Sequence, residues 1–343
     1  MNMRYATEPE QERWNELVDQ NPSGGNILQG KEFVTQKQLS GWKVRFIVSD
    51  YCAFTVIEKT IPVLGKLWYC PKGPGVSTKR ELAELLPELQ AFAKKQNVFT
   101  VKIEPELDYT TDLSDLNLIK TTPIQYNYAT VYVDLSPPLD AILAGLNQKG
   151  RHAIRRAERD GVVVKQVPAT DENCQSMYDL FKETATGAGF AIRPASYYQS
   201  FYQAYEAKSR GQLFFAYVNN QIVAGAFAMV QGSNSMYKDG ASVRERTAYG
   251  ASHLLQWHVI QWAKQKGALK HDLAGVPPIK DSKNPNHPFY GLARFKTSFN
   301  KHITQYVGAY EVPIQPLKAT LWHRYIEKLV RKLYFKRHHQ SFY

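Results

Sequence analysis

The chain has 343 residues, 43% apolar and 13% aromatic, enough to bury a sizeable core and long enough for about two domains. Lysine and arginine number 43 against 31 aspartates and glutamates, a formal charge of +12 that favours polyanionic partners: nucleic acid, phosphorylated metabolites or an anionic membrane. No run of about 18 uncharged apolar residues occurs and the opening MNMRYATEPEQERWNELV lacks the basic-then-apolar layout of a secretory signal, so no spanning helix is expected and a cytoplasmic address is.

In chain order, residues 8–20 read as an opening helix, and GWKVRFIVSDYCAFTVIEKTI reads as a pair of strands. STKRELAELLPELQAFAKKQNV follows as an amphipathic helix leading into the strand FTVKIEP. After the proline pair of VDLSPPLD comes QKGRHAIRRAERDGV, where Arg151, Arg155 and Arg159 recur at helical spacing with Ile154 and Ala157 on another face, and Gly161 closes the helix. Helices are expected over 173–186 and 196–209. The strands of QLFFAYVNNQIVAGAFAMVQGSNSMYKDGAS come next, with Asn219-Asn220 as a tight turn, then the helix SHLLQWHVIQWAKQKG and the strand LKHDLAG. Each half therefore runs strands, helix, strand, the order of a duplicated α+β unit. The boundary is placed near residue 145, giving a first domain over 1–145 completed by 307–343 and a second over 146–306.

Two segments leave their reading open. GLARFKTSFN, taken with period two, puts Phe295 on one face of a strand and Arg294 and Lys296 on the other; these cations either guard an edge against mispairing or serve a site. Residues 316–337 form an amphipathic basic helix, with Trp322, Ile326, Leu329, Val330 and Leu333 on one face and Arg324, Lys328 and Arg331 opposite. It suits docking on the protein's own body or lying on an anionic bilayer. Cys52, Cys70 and Cys174 are widely spaced and read as packing residues, the nine histidines show no ligand spacing, and no metal is expected.

Four blocks together carry a resemblance: NILQGKEFVTQKQLSGWKV, FTVKIEP, QKGRHAIRRAERDGV, and MYKDGAS with the helix after it and GLARFKTSFN. In this order they resemble the Fem-type (FemABX) aminoacyltransferases over nearly the whole chain, in a compact form without the coiled-coil insertion. The resemblance implies tandem acetyltransferase-like (GNAT-like) domains of the α+β class. It also implies transfer of an amino acid from aminoacyl-tRNA to the stem peptide of a peptidoglycan precursor, lipid-linked or UDP-linked, building the interpeptide bridge. No cofactor is implied beyond aminoacyl-tRNA as co-substrate, and a monomer with peripheral membrane contact is expected. Tyr126 and Asn300 depart from the family's pattern.

On that resemblance Lys296 is the candidate catalytic cation, aimed at the negative oxygen of a tetrahedral intermediate. Glu104 matches the acidic position that would orient the attacking amine, although a solvated strand end is an equal reading. Lys37 is a candidate phosphate ligand, with a solvated helix face as its alternative, and Arg193 suits a carboxylate because its fork binds both oxygens. Tyr237 and Tyr249 flank an expected glycine-bearing turn and join Arg294 and Phe295 as substrate-binding candidates. Arg151, Arg155 and Arg156 suit tRNA or precursor phosphates, with a solvated cationic helix face as their alternative. Two other functions compete: an acyl-coenzyme A dependent N-acyltransferase, and a non-catalytic RNA-binding module supported by charge alone.

Overall fold

The computed structural model describes residues 3–188, 192–243, 249–338 and 341–343. The chain divides into two compact units, one of Met1–Tyr128 with Gln305–Tyr343 and one of Ala129–Thr304. In the first, β1 (Arg4–Tyr5) and helices α1 (Glu8–Glu12), α2 (Trp14–Asp19) and α3 (Lys31–Gln36) precede the strands β2 (Lys43–Val48), β3 (Ala53–Ile61) and β4 (Gly65–Cys70). The single opening helix expected over 8–20 is two, because Arg13 leaves helical geometry between them. Helix α4 (Lys79–Lys95) begins at a reciprocal Thr78–Glu81 capping box, and its Leu82, Leu85, Leu86, Leu89 and Ala93 are buried at spacings of three and four. It delivers the chain to β5 (Val98–Ile103), which pairs in parallel with β4 and is buried at every residue. The short β6 (Ile119–Thr121) follows.

The second unit begins with β7 (Ala129–Asp134), α5 (Leu139–Gly145), α6 (Gln148–Arg159) and β8 (Val163–Val167). Helices α7 (Asp171–Ala188) and α8 (Ala195–Glu206) lead into the antiparallel run β9 (Gly211–Val218), β10 (Gln221–Gln231) and β11 (Asn234–Ser242). Asn219 and Asn220 sit at φ of 49° and 62°, so the β9–β10 turn is of the left-handed kind whose twist matches a hairpin. Helix α9 (Ala251–Gln265) joins β11 to β12 (Lys270–Gly275), and those two strands are parallel, as β4 and β5 are around α4. Helix α10 (Tyr290–Lys296) and the two-residue β13 (Thr304–Gln305) follow, and the sheet order is β13-β7-β12-β11-β10-β9-β8. The crossing between units falls at Tyr128–Ala129 rather than near residue 145. Strand β7 pairs with β12, and the proline pair lies inside the second unit, where Pro138 opens α5.

The chain then returns to the first unit. Strand β14 (Ala309–Pro313) inserts between β5 and β6, completing the order β1-β2-β3-β4-β5-β14-β6. Helix α11 (Pro316–Leu321), a π turn over Trp322–Ile326 and α12 (Glu327–His338) close the fold. The apolar face expected of this segment is split. Trp322 is fully buried with its ring edge-on to Phe99 at 5.8 Å, whereas Leu329 and Leu333 are each 55% exposed. Glu327 takes the inward position instead, with Lys102 Nζ at 2.6 Å and the Tyr343 hydroxyl donating to it at 2.7 Å.

Candidate functional site

GLARFKTSFN is helical over Tyr290–Lys296, not a strand. Phe295, in the last turn of this helix, and Phe299, in the turn that follows it, flank the His253 ring of α9 at centroid distances of 4.9 and 5.7 Å. A period-two reading over so few residues cannot distinguish that arrangement from alternation. Burial among these rings pulls His253 down to about 4, which keeps it neutral as a packing group.

The aromatic clamp leaves Lys296 facing inward, only 4% exposed, with Nζ donating to the Gly275 carbonyl at 2.8 Å. That carbonyl lies beside a β-bulge of β12 between Asp272 and Gly275, where Ala274 takes a φ of 61°. The Asp272 carboxylate fixes the bulge by accepting the Ala274 N–H at 2.7 Å and the Thr130 hydroxyl. Burial pulls the Lys296 ammonium down to about 7, and the negative charge of Asp272 opposes the shift. Lys296 is therefore a shielded cation that readily gives up a proton near neutrality. Arg294 points to the exposed side of the same helix, over the Tyr290 ring at 5.9 Å.

The arginine-rich helix α6 is packed close on both sides. A Cβ at Gly150 would stand 2.5 Å from the Ser298 carbonyl, and one at Gly250 would stand 2.2 Å from that of Ala153, so only glycine allows these approaches. Arg151 donates to the carbonyls of Ala144 and Leu146 and so satisfies the end of α5. Arg156 pairs with Asp160 at 3.3 Å and lies over the Tyr249 ring at 5.3 Å, while Arg155 projects into solvent. Beside the start of α6 an open cleft of about 410 Å³ is lined by residues 145–148 with Arg151, Asn300 and Lys301. The Asn300 amide donates to the Tyr132 carbonyl at 2.8 Å, which gives the departure at this position a structural purpose.

Arg193 stacks over Tyr197 at 4.6 Å just before α8, next to the Lys238–Asp239 pair. Tyr237 does not flank a turn. MYKDGAS continues as β11 through Ser242, with Tyr237 opposite Ala228 and Asp239 opposite Phe227 of β10 and a shift of register between those two pairs. Tyr249 is 47% exposed immediately before α9, and residues 244–248 lie outside the described residues.

In the first unit, Lys37 is buried rather than on a solvated face, because the 3-10 turn Lys37–Ser40 brings its ammonium 5.4 Å from the centre of the Phe33 ring. Glu104 is likewise not a solvated strand end. Its carboxylate accepts the Tyr69 hydroxyl at 2.7 Å and the backbone N–H groups of Ile124 at 2.6 Å, Gln125 at 3.0 Å and Lys72 at 3.4 Å. Nearby, buried Lys72 pairs with Glu106 at 3.2 Å and lies 4.2 Å from the centre of the Tyr306 ring.

Sequence reasoning did not single out Asp272, Tyr197, Lys72 or Glu106. The signals were a strand ending HDLAG, a tyrosine four residues after Arg193, and charges inside otherwise apolar CPKGPG and KIEPELD.

Each unit carries its helix between two parallel strands, and the fold is that of a tandem acetyltransferase-like protein of the α+β class. The sequence profile of the FemAB family matches residues 116–221 and 213–328, and the chain belongs to that family of transferases. It is 22% identical over 391 aligned positions to the lipid II:glycine glycyltransferase of Staphylococcus aureus strain MRSA252, covering 88% of this chain and 91% of that one. The crystal structure of FemX superposes with a TM-score of 0.79 at 19% identity, over 94% of this chain and all of that one. A tandem GNAT protein from the clavulanic acid biosynthesis pathway superposes with a TM-score of 0.50 at 11% identity, over 92% and 99% of the two chains. Among the described residues no helix is long and apolar enough to cross a membrane.

Proposed function

We propose that the protein transfers an amino acid from aminoacyl-tRNA to the stem-peptide amine of a peptidoglycan precursor, lipid-linked or UDP-linked, in the building of an interpeptide bridge. The observation that carries this reading is the shielded Lys296, held on the Gly275 carbonyl within a chain of the FemAB family. The kinship with a lipid II:glycine glycyltransferase supports the acceptor class.

In this reaction the acceptor amine attacks the ester carbonyl, a C–N bond forms, and the carbonyl oxygen becomes negative. Lys296 donates to that oxygen. The tetrahedral intermediate then breaks its C–O bond, and the proton lost by the amine ends on the departing ribose oxygen. A lysine poised near neutrality suits both tasks, since efficiency in proton transfer peaks when the donor's value is close to the working pH. Arg193, with Tyr197 beneath it, is assigned to an acceptor carboxylate, and Lys37 to a phosphate. The open cleft with Arg151 and Lys301 suits a further anionic group, and exposed Arg155 suits the tRNA backbone. Glu104, already accepting four donors, is assigned a positioning role for residues 124 and 125 rather than that of a free base.

The test is a transfer assay with lipid-linked and UDP-linked muropeptides and tRNAs charged with glycine, alanine or serine, read by the mass of the stem peptide. A tRNA-dependent gain of one residue mass that collapses in Lys296→Ala supports the proposal. Modification by acetyl-coenzyme A with no gain from any charged tRNA overturns it.

A further inference from the structure

The closing helical segment presents a second apolar stripe, separate from the face it buries. Leu317 is 89% exposed, Leu321 44%, Tyr325 67%, and Leu329 and Leu333 55% each. Their spacing is four residues throughout. On a regular α-helix each such step overshoots a full turn by about 40°, so five residues would wind around the rod. The wider π turn at Trp322–Ile326 takes back part of that rotation and keeps the stripe on the outer side.

The segment cannot roll to hide it. Trp322 is wedged against Phe99, and Glu327 is held by Lys102 at 2.6 Å and by the Tyr343 hydroxyl at 2.7 Å. Tyr343 itself is buried and stacks on Trp42 at 5.7 Å, so it helps lock the inner face.

The charge around the stripe names the partner. Residues 316–338 hold seven lysines and arginines and one acidic residue, and that residue is the inward-facing Glu327. Arg324, Lys328, Lys332 and Lys336 are exposed alongside the leucines. A polynucleotide would use the cations but leave the leucines wet, and a second copy of this chain would face the same positive charge. An anionic bilayer satisfies both, since headgroups take the cations while the apolar side chains sink to the acyl boundary.

We propose that the outer face of residues 317–333 is an interfacial docking surface for anionic lipid bilayers. This does not rest on the transfer reaction.

The experiment is co-sedimentation of the full-length protein with phosphatidylcholine vesicles and with vesicles of phosphatidylcholine and phosphatidylglycerol. Comparison is made with Leu329→Ser/Leu333→Ser and with Lys328→Ala/Lys332→Ala. Both pairs are exposed, and thermal melting like that of the unmodified protein verifies that the fold is kept. Binding to the anionic vesicles, reduced at least about tenfold by the leucine pair and losing its preference for phosphatidylglycerol in the lysine pair, supports the proposal. No vesicle binding, or binding indifferent to the leucine pair, overturns it. So does an absence of vesicle binding accompanied by a dimer in sedimentation, or by tRNA binding, that the leucine pair abolishes.

Discussion

The ammonium of Lys296 is held 2.8 Å from the carbonyl oxygen of Gly275, at the point where β12 bulges and its backbone stops pairing regularly. A neutral oxygen is a poor counter-ion for a buried cation, so the site keeps its charge at a cost to folding. That cost is measurable. Lys296 ordinarily titrates at 10.5 and in the fold at about 7, so between those values the unfolded chain binds a proton that the native chain has released. Stability must then rise as pH rises from about 7 to 10.5, and below 7 the full penalty is present. Lys296→Met is expected to melt above the native protein at pH 6, by the equivalent of about 2 kcal/mol, with the gap closing toward pH 10. Thermal melts across that range check it, and a variant that melts lower at every pH contradicts the stored cost.

For activity the expectation runs the other way. Lys296→Ala should lower transfer by about 100- to 1000-fold, the usual effect of losing one donor to a developing oxyanion. The protonated form is the useful one, so rate should fall as pH rises past about 7, forming the alkaline limb of the kcat profile. Asp272→Asn removes the one charge that raises the Lys296 value, and its limb should shift to lower pH. Identical limbs in both proteins would mean that Asp272 only shapes the bulge.

The sheets, the Asn219-Asn220 hairpin and α4 were legible because each rests on local patterning: alternation, turn residues, a capping box. GLARFKTSFN was not, since its conformation depends on His253, reached through a contact more than forty residues away in sequence. Lys296 was singled out as a candidate through family resemblance, while its hydrogen-bond partner and Asp272 were invisible because a bulge is a property of register. The C-terminal helix illustrates the same limit. Its composition announced amphipathicity, but the wheel missed the π turn and therefore assigned Leu329 and Leu333 to the wrong face.

Glu104 joins β5 to the segment at residues 124 and 125 through hydrogen bonds to a carboxylate, and such bonds are strong because the acceptor is charged. In Glu104→Gln the amide turns a donor toward other donors. It should lower stability by about 2 to 3 kcal/mol in urea unfolding, whereas Tyr69→Phe, which removes one of the four donors to the carboxylate and the acceptor of the Gln125 amide, should cost about 1 to 2 kcal/mol. A Glu104→Gln protein of full stability and low activity would assign the carboxylate to proton transfer instead.

Acid should weaken the second unit through two histidines, the fully buried His271 and the partly buried His253. Ser235 Oγ and the Gln256 amide each lie 2.8 Å from a ring nitrogen of His271. The amide nitrogen can only donate, so Nε2 accepts and Nδ1 carries the proton toward Ser235. Full burial pulls His271 down to about 3 from its ordinary 6.5, and His253 falls to about 4. Both stay neutral in the fold while the unfolded chain takes up protons below 6.5. Their stabilisation is therefore present above that value and is lost progressively toward about 3 to 4. Between pH 7.5 and pH 5 each should withdraw about 2 kcal/mol, the free energy of protonating the unfolded imidazole over that interval. Urea midpoints at the two pH values should drop accordingly in the native protein, and by visibly less in His271→Gln whatever that variant's absolute stability. An equal drop in both would mean that His271 is protonated in the fold, with the Gln256 side chain turned to offer its oxygen.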